Sequence, residues 1–202
     1  MGLARTRAPK DEYAIFETLG AAGVAVAPFT TSLEDIGSVG IPALVVTRHA
    51  GALPVRTMVA KYGDIVPALA QATRAGRFFM QKHIVGHEVA CGVITHSRKV
   101  LPLVPVETIP RPLHESGAWH LLPAVQDAVQ AVAKAAHIAV GAKGHSCVRM
   151  VVAGTTPYVT GVDMAPSLAR TSLFMRSALL TGLTVHEICE SVGSHYPLST
   201  LH

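Results

Sequence analysis

The run from Pro123 to about Val140 restricts this chain more than any other feature. It is rich in Ala and Val, opens on proline and closes at Gly141, so it reads as one long helix. Beyond it the pattern changes. Cys147 to Val152 and Tyr158 to Val162 read as the strands of a hairpin turning at Ala153-Gly154. A long helix feeding a hairpin calls for a mixed class, and the rest of the chain agrees. Tyr13, Ile15, Phe16 and Leu19 recur at helical spacing between Lys10 and Leu19, with Gly20 as C-cap. Val24 to Pro28 and Pro42 to Thr47 read as strands. Asp64 caps a helix reaching about Ala75, with Pro67 in its first turn. Strands follow at Phe78 to Ile84 and Glu88 to Thr95, joined at Gly86, and another at Val104 to Thr108. Ile109 to Trp119 is irregular. Leu173 to Leu180 and Val185 to Val192 read as helices, the last capped by Thr184 with Glu187 three residues on. There is no internal repeat, and the expected class is α+β.

Composition narrows the function. Half of the 202 residues are hydrophobic and 15% are charged, which excludes a disordered chain and leaves room for one domain or two small lobes. The net charge of +4 is spread along the chain; its densest run, Arg5, Arg7 and Lys10, is closed at once by Asp11 and Glu12. That scatter argues against a nucleic-acid face, whereas an anionic small substrate accounts for the excess. Cys91, Cys147 and Cys189 are far apart and form no CxxC pair, so neither a disulfide framework nor a zinc knuckle is expected. Apolar stretches are broken before a membrane span is reached, and the first residues lack a signal peptide's apolar run, so the expected location is the cytoplasm. His83, His87 and Cys91 would align metal ligands on a helix. Their β-branched neighbours place them on strands, where they do not converge. His186-Glu187 lacks the second histidine of a zincin motif.

Several segments, in order, carry a resemblance. Pro157 to Ser167, PYVTGVDMAPS, followed by Ser172-Leu173-Phe174, then Ala178 to Gly182 and Glu187, is similar to the strand, turn and helix that end the D-alanine–D-alanine ligases. Met80 to Val89, continued by Gly92-Val93-Ile94, resembles that family's adenine-side segment. Leu103 to Glu107 looks like its "lPpvEI", Pro123-Ala124 like the "cPA" before its long helix, and Ala22 to Pro28 like the lead-in to its ATP lobe. The resemblance implies an ATP-grasp fold, two α+β lobes sandwiching a nucleotide cleft, with residues 1–86 as the central lobe and 87–202 as the C-terminal lobe. The family's N-terminal domain has no counterpart. The activity implied is ATP-dependent carboxylate–amine ligation through an acyl phosphate, in peptidoglycan precursor synthesis, with ATP, Mg²⁺ and D-alanine or a similar amino acid as ligands.

Residue by residue, the implied site is only partly filled. Gln81, Lys82 and Glu88 stand where the family contacts adenine and ribose. Of the Glu-x-Asn that helps hold the metal, the Glu position is Gly161 and the Asn position is Asp163, which keeps an oxygen ligand. The metal Asp becomes Val151 or Arg149, and the transition-state Arg becomes Arg149 or Cys147, according to the strand register. Ser172 matches the serine that meets the second substrate. The phosphate Lys is lost at Thr47-Arg48, and the Gly/Ser loop becomes Gly51 to Arg56 with Pro54 removing a donor; Arg48 or Arg56 could take over a phosphate contact. These losses imply a catalytically impaired ligase, the alternative being a non-catalytic scaffold or interaction module. Exposed cleft walls would favour a homo-oligomer, or a partner supplying the missing domain.

Overall fold

The computed structural model describes residues 12–32, 34–48, 55–75, 77–96, 99–108 and 121–193. Its contacts divide into two compact units, Ala27–Val85 and Met1–Val26 with Gly86–His202.

In the Ala27–Val85 unit the elements are β1 (Phe29–Thr30), α2 (Ile36–Val39), β2 (Ala43–Arg48), β3 (Val55–Val59), a short 3-10 turn (Tyr62–Asp64), α3 (Ile65–Ala75) and β4 (Arg77–Lys82). The strands form an antiparallel sheet in the order β1-β4-β2-β3. Ala68 and Ala72 line the inner side of α3, and their small side chains let it sit close over Ala43, Val45, Val59 and Met80. Strand residues alternate faces, so Leu44, Val46, Phe79 and Gln81 point away from α3. The helix α2 and the strand β3 have no counterpart in the sequence pattern.

In the other unit the elements are α1 (Glu12–Ala21), β5 (His87–His96), β6 (Lys99–Pro102), β7 (Val106–Glu107), α4 (Pro123–Ala139), β8 (His145–Ala153), β9 (Thr156–Asp163), α5 (Leu173–Leu180) and α6 (Val185–Gly193). The five strands form an antiparallel sheet ordered β6-β5-β8-β9, with β7 also on β5. β5 buries six consecutive residues, Val89 to Ile94, because helices cover both its faces. On one face α4 brings His137, whose ring bonds Thr95 Oγ1 at 2.9 Å and Ser146 Oγ at 2.7 Å. On the other, Ala90, Ile94 and Cys147 pack beneath Phe174, Ala178 and Ile188 of α5 and α6. Gly92 permits that approach: a Cβ there would meet Leu103 Cδ1 at 2.8 Å and Ser177 Oγ at 3.1 Å. The space goes instead to a hydrogen bond, as Gly92 N donates to Ser177 Oγ at 2.9 Å.

Several elements differ from their expected extent. α1 packs on α4 and β9, so the compact units do not follow a 1–86 and 87–202 division. Val24 to Pro28 makes a single parallel bridge, Val26 to Val159, rather than a full strand. The strand expected from Val104 begins only at Val106. Val104 N donates to Thr181 Oγ1 at 2.8 Å and its carbonyl accepts from Ser177 Oγ at 2.7 Å, so helix side chains take the groups a strand would need. Thr184 and Glu187 form the expected capping box, with Thr184 N donating to Glu187 Oε2 at 2.7 Å and Glu187 N to Thr184 Oγ1 at 3.2 Å. The bonds that Thr184 N and, second, Thr184 Oγ1 donate to the carboxylate lower the pKa of Glu187. The irregular stretch Ile109 to Trp119 lies outside the described residues.

Candidate functional site

Gln81 and Lys82 are neighbours on β4, and the pleat separates their side chains. Gln81 pairs with Leu44 and Phe29 on the face away from α3; Lys82 pairs with Ala43, whose side chain belongs to the α3 core. Lys82 is exposed. Gln81 is only 5% exposed, and its Nε2 has no hydrogen-bond partner among the described residues. A buried amide donor left unpaired costs about 1–3 kcal/mol, so it marks a place where a hydrogen-bond acceptor would be welcome. Arg56 on β3 shares this face, paired with Val46, which pairs in turn with Phe79 beside Gln81. Of the expected phosphate loop, residues 49–54 and the side chain of Arg48 lie outside the described set.

In the other unit, one sheet face gathers the remaining candidates. Directly opposed residues of antiparallel strands share a face, and the register gives three rows: Glu88–Val151–Tyr158, Ala90–Arg149–Gly161, and Gly92–Cys147–Asp163. Ala90 and Cys147 lie under α5 and α6, so Glu88, Arg149, Gly161 and Asp163 belong to that same face. Glu88 is exposed and accepts a hydrogen bond from Thr108 Oγ1 at 3.0 Å. Asp163 is exposed, and its Oδ1 accepts from Ala165 N at 3.0 Å, the Asx-turn arrangement that precedes Pro166. Ser172 caps α5: its Oγ accepts from Met175 N at 3.2 Å and donates to the Ser167 carbonyl at 2.6 Å.

Arg149 is exposed, and its guanidinium lies over Gly161. The three heavy atoms nearest to a Cβ built on that glycine are all its own: Nη2 at 2.8 Å, then Cζ and Nε at 3.3 Å. No hydrogen bond or ion pair of Arg149 occurs among the described residues. In the neighbouring row of the same face, burial first and the charge of Asp163 second push the Cys147 thiol up to about 12, opposed by the charge of Arg149.

Of the two sequence alternatives, Arg149 is the cross-strand neighbour of Gly161, whereas Val151 stands opposite Tyr158. A β-bulge between Arg149 and Met150 produces this pairing. Two-residue hairpin counting from Ala153 and Thr156 would have set Arg149 opposite Thr160, so the motif spacing alone could not find it. Among the described residues, no group of three or more His, Cys, Asp and Glu could hold a metal ion. His87 and Cys91 lie four residues apart on β5, about 13 Å of strand, and Cys91 is buried with its thiol raised to about 12 by desolvation first.

No protein-family model matches the chain. It is 24% identical over 169 residues to a D-alanine–D-alanine ligase of Desulforudis audaxviator, covering 77% of this chain and 55% of the relative. Against that of an Anaeromyxobacter strain it is 27% identical, covering 89% and 63%. In structure it is similar to the Bacillus anthracis D-alanine–D-alanine ligase complexed with ATP, with a TM-score of 0.73 at 17% identity over 92% of this chain and 65% of that one. The Coxiella burnetii enzyme gives 0.76 at 17% over 94% and 58%, and the VanG D-Ala:D-Ser ligase of Enterococcus faecalis 0.75 at 16% over 92% and 61%. The chain thus spans between about half and two thirds of the length of these proteins. At low sequence identity the chain is similar to the D-alanine–D-alanine ligases, and it has their ATP-grasp fold, α+β with antiparallel sheets.

Proposed function

We propose that this chain is a nucleotide-binding, catalytically impaired relative of the D-alanine–D-alanine ligases, acting in the cytoplasm. The observation that carries the impairment is the Arg149 guanidinium lying over Gly161. A divalent ion shared across β8 and β9 needs hard oxygen ligands on both strands. This pair offers a fixed positive charge and no side-chain oxygen, and like charges at such range repel. Asp163, already holding Ala165 N, is the one carboxylate of β9 on that face. Mg²⁺ therefore does not fit here. Adenine does fit Gln81, because a ring nitrogen would accept from the Nε2 that lacks a partner.

With adenine held and the metal set gone, the reading is that ATP binds and its γ-phosphoryl group is not transferred to D-alanine, D-serine or another amino acid. Lys82 and Glu88 would be peripheral to adenine and ribose, Ser172 chiefly a helix cap. Calorimetric titration with ATP, followed by an ADP-release assay with D-alanine, tests this. Binding at micromolar to millimolar ATP with no amino-acid-stimulated ADP release is the expected result. Stimulated turnover overturns the impairment. No binding at millimolar ATP overturns the nucleotide reading and leaves a non-catalytic scaffold.

A further inference from the structure

An open sheet edge presents a row of backbone donors and acceptors to any extended chain that meets it. β3 ends the order β1-β4-β2-β3, and among the described residues no strand pairs with its outer side. Side chains do little to blunt this edge, since Val55 and Met58 are each about half exposed. α3 leaves it open as well. Ala68 and Ala72 seat the helix on the core, chiefly over β2, and a groove of about 450 Å³ remains beyond it. Val55 and Thr57 form its floor; Pro67, Ala70, Gln71 and Arg74 form its helix wall. The register agrees, because Thr57 pairs with Val45 of the core beneath α3. We infer that this edge and groove dock an extended, acidic peptide segment of a partner protein, added as a fifth strand beside β3 with alternate side chains under α3. The groove opens on the sheet face opposite Gln81, so the inference stands apart from the nucleotide reading.

Charge and spacing choose the occupant. Main-chain pairing along an edge supplies affinity, and a groove beside it reads every second side chain. From Val55 to Ala75 the charges are Arg56, Lys61 and Arg74 against Asp64 alone, so an acidic segment is favoured over a basic one. Arg74 is exposed in the last turn of α3 and has no ion-pair partner among the described residues. It offers a carboxylate a partner at one end of the groove. A second copy of the chain fits less well. Paired antiparallel on β3, it would set its own α3 three strand spacings away, about 14 Å. Packed helices approach to about 8–10 Å, so the groove between the two would stay unfilled. A single added strand fills it with its own side chains.

The test titrates the full chain, by calorimetry and amide NMR, with two synthetic peptides. Each is an acetylated run of alternating valine and threonine, one closed by two glutamates and the other by two lysines. The glutamate peptide is expected to bind below millimolar concentration and to shift the amides of Val55 to Val59 and of Ala70 to Arg74. The lysine peptide should bind about threefold more weakly or worse, and Arg74→Glu should reverse that preference. Ala70→Trp, at an exposed helix position, fills the groove and should weaken both peptides at least about tenfold with the melting temperature held near wild type. No shift at β3 with either peptide at millimolar concentration would overturn the inference. So would a preference that ignores Arg74→Glu, or a folded Ala70→Trp chain that binds as wild type does. Sedimentation of the peptide-free chain adds the last arm: self-association that Met58→Lys removes would assign the edge to a second copy and overturn the peptide.

Discussion

Gln81 and Arg149 are both polar side chains without a partner among the described residues, yet they stand in opposite surroundings. Gln81 is buried, and its orphaned Nε2 carries a penalty that the unliganded protein bears continuously. Arg149 is exposed and solvated, so being unpaired costs it almost nothing. The comparison teaches which kind of observation points to a ligand. Burial alone makes the unpaired amide informative. The arginine becomes informative only through the glycine beneath it, whose missing Cβ leaves room for the guanidinium. One region offers a buried amide donor without a partner among the described residues, and the other lays a cation over a glycine with the sheet around it intact.

The largest expected effect tests whether the sheet face under α5 and α6, next to Arg149, is closed. Cys147 and Cys91 are both pushed from 9.0 to about 12, mainly by desolvation. In the unfolded chain these thiols ionise near 9, while in the folded chain they stay protonated to about 12. Stability is therefore unaffected below pH 9 and is lost as pH rises from about 9 to 12, by on the order of 3–4 kcal/mol for a fully buried thiol. Urea midpoints at pH 8 and pH 10.5 should show the fall, and Cys147→Ala should make it shallower. An unchanged midpoint in wild type would mean that solvent reaches the thiols, and the core under α5 and α6 is open rather than packed.

Next in size is the contrast itself. Gln81→Leu should stabilise the unliganded protein by about 1–3 kcal/mol, since it removes a buried donor with no partner, while weakening ATP at least about tenfold. Arg149→Gln should leave stability within about 0.5 kcal/mol. Chemical denaturation with and without ATP measures both. A Gln81→Leu chain that is destabilised would show that the amide is held by something after all, and the adenine reading would lose its support.

How much of this was legible in the sequence follows from range. The helix from Pro123 and the capping box at Thr184 and Glu187 depend on residues within one or two turns, and their signals sit in the same few residues. The hairpin of β8 and β9 was legible as a hairpin, although its turn falls at Gly154-Thr155, one residue beyond the expected Ala153-Gly154, because Ala153 still pairs with Thr156. Its register at Arg149 was not, because one extra residue near Thr160 shifts the pairing and no side chain at 160 announces it. The pleat of β4 shows that Gln81 and Lys82 could not serve one face as side chains, which adjacency in sequence conceals. Val104 lost its strand to hydroxyl groups more than seventy residues away in the chain, beyond any local pattern. The family resemblance supplied residue types, and only the sheet register could say which of them face one another.

The smallest effect separates a structural serine from a binding one. Ser172 accepts from Met175 N at 3.2 Å as the N-cap of α5, and Ser172→Ala should cost about 1 kcal/mol by orphaning that donor. Ser172→Asp keeps an acceptor at the cap and should hold stability near wild type, with its charge welcome at the helix N-terminus. Calorimetry then reads function apart from folding. If the serine serves the helix, the Ala variant binds ATP as wild type does once it is folded. Loss of ATP binding in a folded Ala variant would instead make Ser172 a binding residue. The cap geometry favours the first outcome, because the Ser172 hydroxyl already donates to the Ser167 carbonyl at 2.6 Å and accepts from Met175, leaving it no hydrogen to offer a ligand.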